Sequence, residues 1–149
     1  MGNQTSYVQL DDHNGENTNR ADARKLHALG LKFRKEKDLK NAISAFSKAA
    51  KIREEHWIDH DEELGDSYTK IARCYFELRD FKQALIYYKK ALNIIYRTLY
   101  LLNIDLSKVY YDLSQYSEGL IYLKRASELR ENYLVLDKAL IADELLTYA

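Results

Sequence analysis

The chain is predicted to be an all-α superhelix of stacked antiparallel helical hairpins. Three observations predict it. Proline is absent and glycine occurs only 5 times in 149 residues, so helix can follow helix with few breakers between. Apolar residues recur at three- and four-residue steps over most of the chain, the period of an α-helix with one buried face. A small residue within such stretches also returns at long intervals: Ala42, Ala84 and Gly119 stand 42 and 35 residues apart. Self-similarity on that scale marks a solenoid.

Composition narrows the function classes. The 46% hydrophobic and 31% charged content is that of a globular protein, and Lys+Arg and Asp+Glu are both 23. A balanced charge makes no demand for a nucleic acid or an acidic membrane as partner. Cys74 is the single cysteine, so no internal disulfide can form, which suits a reducing compartment. No apolar run approaches the roughly 20 residues of a membrane helix. The N-terminus is polar rather than basic and then apolar, so a secretory signal is not expected. A cytoplasmic location is.

Residues 1–20 are rich in Asn, Gln, Asp, Thr and Gly, with few large apolar groups. Such a segment buries too little to offset its ordering entropy, and it reads as a flexible tail with helix starting near Ala21. Within it, Met1-Gly2-Asn3-Gln4-Thr5-Ser6 fits N-myristoylation with Gly2 as acceptor; a chance start carries the same letters. One such chain binds membrane weakly, and Asp11, Asp12 and Glu16 would repel anionic lipid.

The ordered part, 21–149, divides into repeats at about 21–60, 63–97 and 98–133. In the first, Leu26, Leu29, Gly30 and Phe33 are followed by a polar turn at Lys35-Glu36-Lys37-Asp38 and then by Ala42, Phe46 and Ala49. That is two amphipathic helices joined tightly. The second reads Tyr68, Ile71, Ala72 and Tyr75, a turn at Leu78-Arg79-Asp80, then Phe81, Ala84, Tyr88 and Ala91. The third reads Leu106, Ser107 and Tyr110, a turn at Ser114-Gln115, then Tyr116, Gly119, Leu123 and Ala126. Two helices pack closely only where small residues meet. Gly30, Ala72 and Ser107 are therefore expected to face Ala42, Ala84 and Gly119, with Phe46 and Tyr88 reaching the next hairpin. A last segment, 137–149, is either a capping helix or the start of a fourth repeat cut short.

The stretch from Ala72-Arg73-Cys74-Tyr75 through Asp80-Phe81-Lys82-Gln83-Ala84 to Tyr88-Lys89-Lys90-Ala91-Leu92 resembles the tetratricopeptide repeat family, and the resemblance extends over about residues 21–130. The 42-residue step is similar to the long-repeat subtype of kinesin light chains and Pins-type adaptors. The family's closing proline is missing: Glu54 and Tyr96 stand in its place, which favours longer helices at those junctions. The resemblance implies a non-catalytic adaptor or scaffold whose first helices line a concave groove for a peptide. Carried over, the groove residues are Arg24, His27, Leu31 and Arg34 in repeat one. Repeat two supplies Asp66, Thr69, Arg73 and Phe76, and repeat three Leu101, Ile104, Lys108 and Tyr111. Basic, apolar and aromatic groups together suit a peptide with acidic residues and hydrophobic anchors; ordinary solvated helix positions are the plainer reading of the same residues. The carboxylate clamp of chaperone-binding members would fall on His27, Leu31, Lys70, Leu101 and Asp105, and none matches it.

Other signals are weaker. His56 and His60 stand four apart beside Asp59 and Asp61, yet a third metal ligand is not placed; no metal and no cofactor is expected. Cys74 reads as a buried, inert thiol. No phosphate-cradling loop or nucleophile–base pair is present, so an enzyme is not expected. Lys32, Arg34, Lys35, Lys37 and Lys40 make the first hairpin basic, while Asp59, Asp61, Glu62, Glu63 and Asp66 make the next junction acidic. Glu36 and Asp38 interrupt the basic run, which argues against nucleic acid. Opposite charges on neighbouring segments suit either docking of one segment on the other or head-to-tail contacts between chains. The alternative function is a self-associating structural module whose terminal helix pairs with another copy, or a myristoylated membrane-associated scaffold.

Overall fold

The computed structural model describes residues 13–56 and 62–147. They form five α-helices: α1 His13–Lys35, α2 Leu39–His56, α3 Glu62–Glu77, α4 Phe81–Asp112 and α5 Tyr116–Thr147. No strand occurs among the described residues. Each helix packs chiefly on the next in the chain, as stacked hairpins require. Gly2 and the 57–61 junction, with His60, lie outside the described residues.

The three hairpin turns fall where the polar breaks of the sequence put them, and they share one construction. The Lys37 amide donates to the Arg34 carbonyl at 3.1 Å and the Asp38 amide to the Phe33 carbonyl at 2.9 Å. Arg79 and Asp80 repeat these bonds onto Phe76 and Tyr75, and Ser114 and Gln115 onto Tyr111 and Tyr110. This closure uses up the last helical carbonyls and needs one residue in the left-handed region. Lys37, Arg79 and Ser114 hold that conformation, with φ of 62°, 61° and 59°. The following Asp38 and Asp80 carboxylates accept from the amides of Asn41 at 3.3 Å and Gln83 at 3.2 Å. They satisfy donors that a helix start leaves open.

Small residues sit at the crossings. A Cβ on Gly30 would come within 2.7 Å of the Phe46 ring, and that ring is wholly buried. Ala42, Ala49, Ala72 and Ala84 are buried as well. In the third crossing, a Cβ on Gly119 would stand 3.3 Å from the Ser107 carbonyl oxygen. Cys74 is buried too, and burial pushes its thiol pKa up. One charged group enters the core: Arg53 is 2% exposed. It donates to the Ser67 hydroxyl, to the Glu63 carbonyl at 3.2 Å and to the Glu63 carboxylate at 3.0 Å. Those bonds tie α2 to the first turn of α3.

Three expected boundaries move. The break between the second and third repeats at 97/98 is absent, because α4 runs unbroken from Phe81 to Asp112. Nothing in that span can stop a helix: it holds neither Pro nor Gly, and Thr98 and Asn103 return their side-chain donors to the Ile94 and Leu99 carbonyls. The separate terminal helix at 137–149 is likewise absent, since α5 is continuous through it to Thr147. Its C-terminal half lies back along α4, with Lys89 Nζ 2.9 Å from Asp143 and Asn93 donating to Asp137 at 3.4 Å. At the other end of this long hairpin Tyr110 stacks on Tyr122, ring centres 5.2 Å apart. Finally, α1 starts at His13, ahead of the expected Ala21. Asn19 of that extension pairs with His56 at the end of α2, at 3.1 Å.

Three predictions test this account. Gly30→Ala is expected to destabilise by about 1–2 kcal/mol, because overpacking against Phe46 outweighs the gain in helix propensity. Gly65→Ala, whose Cβ would meet Ile94 at an ordinary 3.5 Å, is expected to stabilise by up to ~1 kcal/mol. Urea midpoints of the two variants should move in opposite directions. Arg79→Gly is expected to stabilise by about 0.5–1 kcal/mol by relieving the left-handed backbone, read in the same assay; a lowered midpoint would show that the turn carries no such strain.

Candidate peptide-binding face

The first helices of repeats one and two, α1 and α3, lie side by side and bring most of the sequence-predicted residues together. Arg24, His27, Ala28 and Leu31 line one wall of a cleft of about 480 Å³. Glu62, Glu63 and Asp66 line the other, and the buried Arg53 also borders it. Further along α3, Thr69 is half-buried and its hydroxyl donates back to the Gly65 carbonyl at 2.9 Å. Arg73 is exposed. Phe76 is 56% exposed and rests edge-on against Phe81, ring centres 5.3 Å apart.

The repeat-three residues do not join this face. Helices α3 and α4 run antiparallel, with Phe76 against Phe81 at one end and Gly65 against Ile94 at the other. So α3 ends level with about residue 97, and the rest of α4 projects past it by ~20 Å at 1.5 Å per residue. Leu101, Ile104, Lys108 and Tyr111 sit on that projection. Lys108 and Tyr111 share a shallow depression with Ser107 and Asp112, and Lys108 Nζ lies 3.5 Å from Asp105. Tyr111 rests edge-on against Tyr116 at 5.2 Å, the contact that Phe76 makes with Phe81. Among the described residues, no group of three His, Cys, Asp or Glu is placed to hold a metal ion, and no helix is long and apolar enough to cross a membrane.

The basic groups of α1 are already engaged by acids of α3. Arg24 Nε lies 3.4 Å from Glu63, His27 Nε2 3.1 Å from Asp66, and Arg34 Nη2 2.9 Å from Glu77. Lys37 adds a second contact to Glu77 at 3.5 Å. This is the docking of opposite charges that the sequence pattern favours, with one shift of partner. Arg34 and Lys37 of the basic run meet Glu77 rather than the acidic junction, which takes Arg24 and His27. Glu63 and Glu77 escape a reading of the groove from first-helix positions alone. Their signal is spacing: Arg24 to Glu63 and His27 to Asp66 are both 39 residues apart, close to the repeat itself.

Two groups of these pairs are shifted in the same direction, for different reasons. Burial of the ring holds the His27 pKa below its ordinary value, with Asp66 opposing. The Arg34 hydrogen bond, helped by Lys37, holds the Glu77 carboxyl below the ordinary carboxylate range. In both cases the folded chain binds fewer protons than the unfolded one. The stability contributed by His27 is complete above ~6.5 and is lost as pH falls toward its folded value; that of Glu77 is lost further down, below ~4.3. The urea midpoint is therefore expected to fall between about pH 7.5 and pH 5.5, and His27→Gln should flatten that slope.

The comparisons agree with this architecture. The tetratricopeptide repeat pattern matches residues 21–96, which span most of α1, all of α2 and α3, and α4 up to the point where it outruns α3. No curated protein and no solved structure matches the chain. Repeats of this kind mediate protein–protein interaction and are typically non-catalytic. With half of its length matched and its hairpins stacked on small-residue crossings, the chain belongs to the tetratricopeptide repeat family.

Proposed function

We propose that this chain is a non-catalytic adaptor that holds an extended or helical peptide on the α1–α3 face. The observation that carries the reading is the exposed Phe76 and Arg73, one turn apart on α3, the helix that also forms one wall of the cleft Leu31 lines. An aromatic and an Arg anchor typically dominate such interfaces. The ion-pair ladder changes the expected ligand chemistry. Because Arg24, His27 and Arg34 already face carboxylates, an acidic peptide gains most from Arg73, and its hydrophobic residues supply the larger share of affinity. The 42-residue spacing of the Arg79 turn from the Lys37 turn supports the long-repeat subtype for the first two repeats.

A peptide array of acidic and hydrophobic sequences, probed with the full chain, tests the reading. For the peptides it selects, Phe76→Ala is expected to weaken binding by about 5–30-fold, and Arg73→Glu to weaken acidic peptides more than neutral ones. Unchanged affinity in both folded variants would count against this face.

A further inference from the structure

The first half of α4 carries a face that the fold leaves open. Leu85, Tyr88, Leu92 and Ile95 are 56%, 39%, 40% and 51% exposed. Forty-two residues earlier, at the equivalent positions of α2, stand Ile43, Phe46, Ala50 and Arg53. There Phe46, Ala50 and Arg53 are at most 3% exposed and Ile43 is half-buried, because α3 packs over them.

The second half of α4 carries the matching face. Leu99, Leu102 and Val109 are 39%, 53% and 54% exposed, and Leu106 lies between them. Thirty-five residues earlier, the equivalent positions of α3 are Leu64, Ser67, Cys74 and Ile71. All four are at most 2% exposed, and α3 turns them toward α2. One unbroken helix thus bears both halves of a junction that α2 and α3 close between them. The two halves cannot meet within α4 while it is unbroken.

We infer that two copies of this chain pair through α4, antiparallel, so that the 99–109 face of each copy covers the 85–95 face of the other. The orientation follows from the α2–α3 junction, where the covering helix also runs antiparallel. The spacing fits as well. From Leu85 to Leu113 the apolar residues alternate in steps of three and four, the repeat of a helix-to-helix seam. That seam is about 42 Å long at 1.5 Å per residue, and α4 of a second copy presents the same apolar stripe over the same length. Charge does not oppose the pairing. The residues flanking the seam are Lys89, Tyr96, Asn103 and Tyr110 on one side and Ala91, Thr98, Asp105 and Asp112 on the other. Antiparallel pairing about residues 97–98 sets Asp105 opposite Ala91 and Asp112 opposite Ala84, so no two acids face each other. Roughly half-exposed side chains along that length amount to about 800 Å² per copy, the size of a stable protein interface.

Sedimentation of the full chain at micromolar concentration tests the pairing. The expected species has twice the 17.5 kDa chain mass. Leu92→Glu combined with Leu102→Glu, which faces it across the seam, should weaken the dimer at least about tenfold while helicity is retained. Thr98→Pro, which breaks α4 and lets 99–112 fold back over 85–95 of the same chain, should convert the dimer to a helical monomer. A wild-type chain that sediments as a monomer at every concentration overturns the proposal. So does a dimer that the two glutamates leave intact.

Discussion

The Phe46 ring fills the space that a side chain on Gly30 would need, and three helices depend on that contact. It sets how closely α1 and α2 cross. The same ring meets His27 edge-on, centres 5.2 Å apart, and belongs to the apolar cluster with Leu64, Ile71 and Cys74 of α3. A fully buried aromatic ring contributes roughly 2–3 kcal/mol of transfer free energy, but its larger role here is geometric. It fixes the distance at which His27 meets Asp66, and with it the width of the cleft between α1 and α3. The candidate face is in this sense set from the core outward.

That face is neutralised from within. Three acids of α3 each meet two basic side chains: Glu63 takes Arg24 and Arg53, Asp66 takes His27 and Lys70, and Glu77 takes Arg34 and Lys37. Most of these contacts are partly exposed, so each stabilises little by itself. Their effect on recognition is greater. On the proposed reading, a ligand carboxylate directed at Arg24, His27 or Arg34 would have to displace an intramolecular one, which would leave more of the discrimination to the shape of the apolar anchors.

The hairpin turns were legible in the sequence because their signals are local: a polar break, then Asp38 or Asp80 as a cap. The small-residue crossings were legible in part, from their spacing: Gly119 meets Ser107 as expected, whereas Gly30 meets the Phe46 ring rather than Ala42. The course of α4 was less so. No proline stands at Tyr96, and α4 continues through it. From Ile94 to Leu106 the chain carries only two charges, Arg97 and Asp105, among mostly apolar and aromatic residues. On the candidate face, the α1 and α3 residues lie on neighbouring helices, as one repeat step between them implies. Leu101, Ile104, Lys108 and Tyr111 lie apart from it, because α4 runs on through Tyr96 without the break that would begin a new first helix. The partners of Arg24 and Arg34 lie some 40 residues away, beyond the reach of any local pattern.

The packing of each helix chiefly on its neighbour in sequence also bears on how the chain folds. Contacts between consecutive helices close short loops, so their entropic cost is low and the search is fast. Any hairpin can nucleate and its neighbours then dock in turn. The long α4–α5 hairpin is the most self-contained of these units, a zipper that can form from its Ser114 turn before α1 and α2 have found each other.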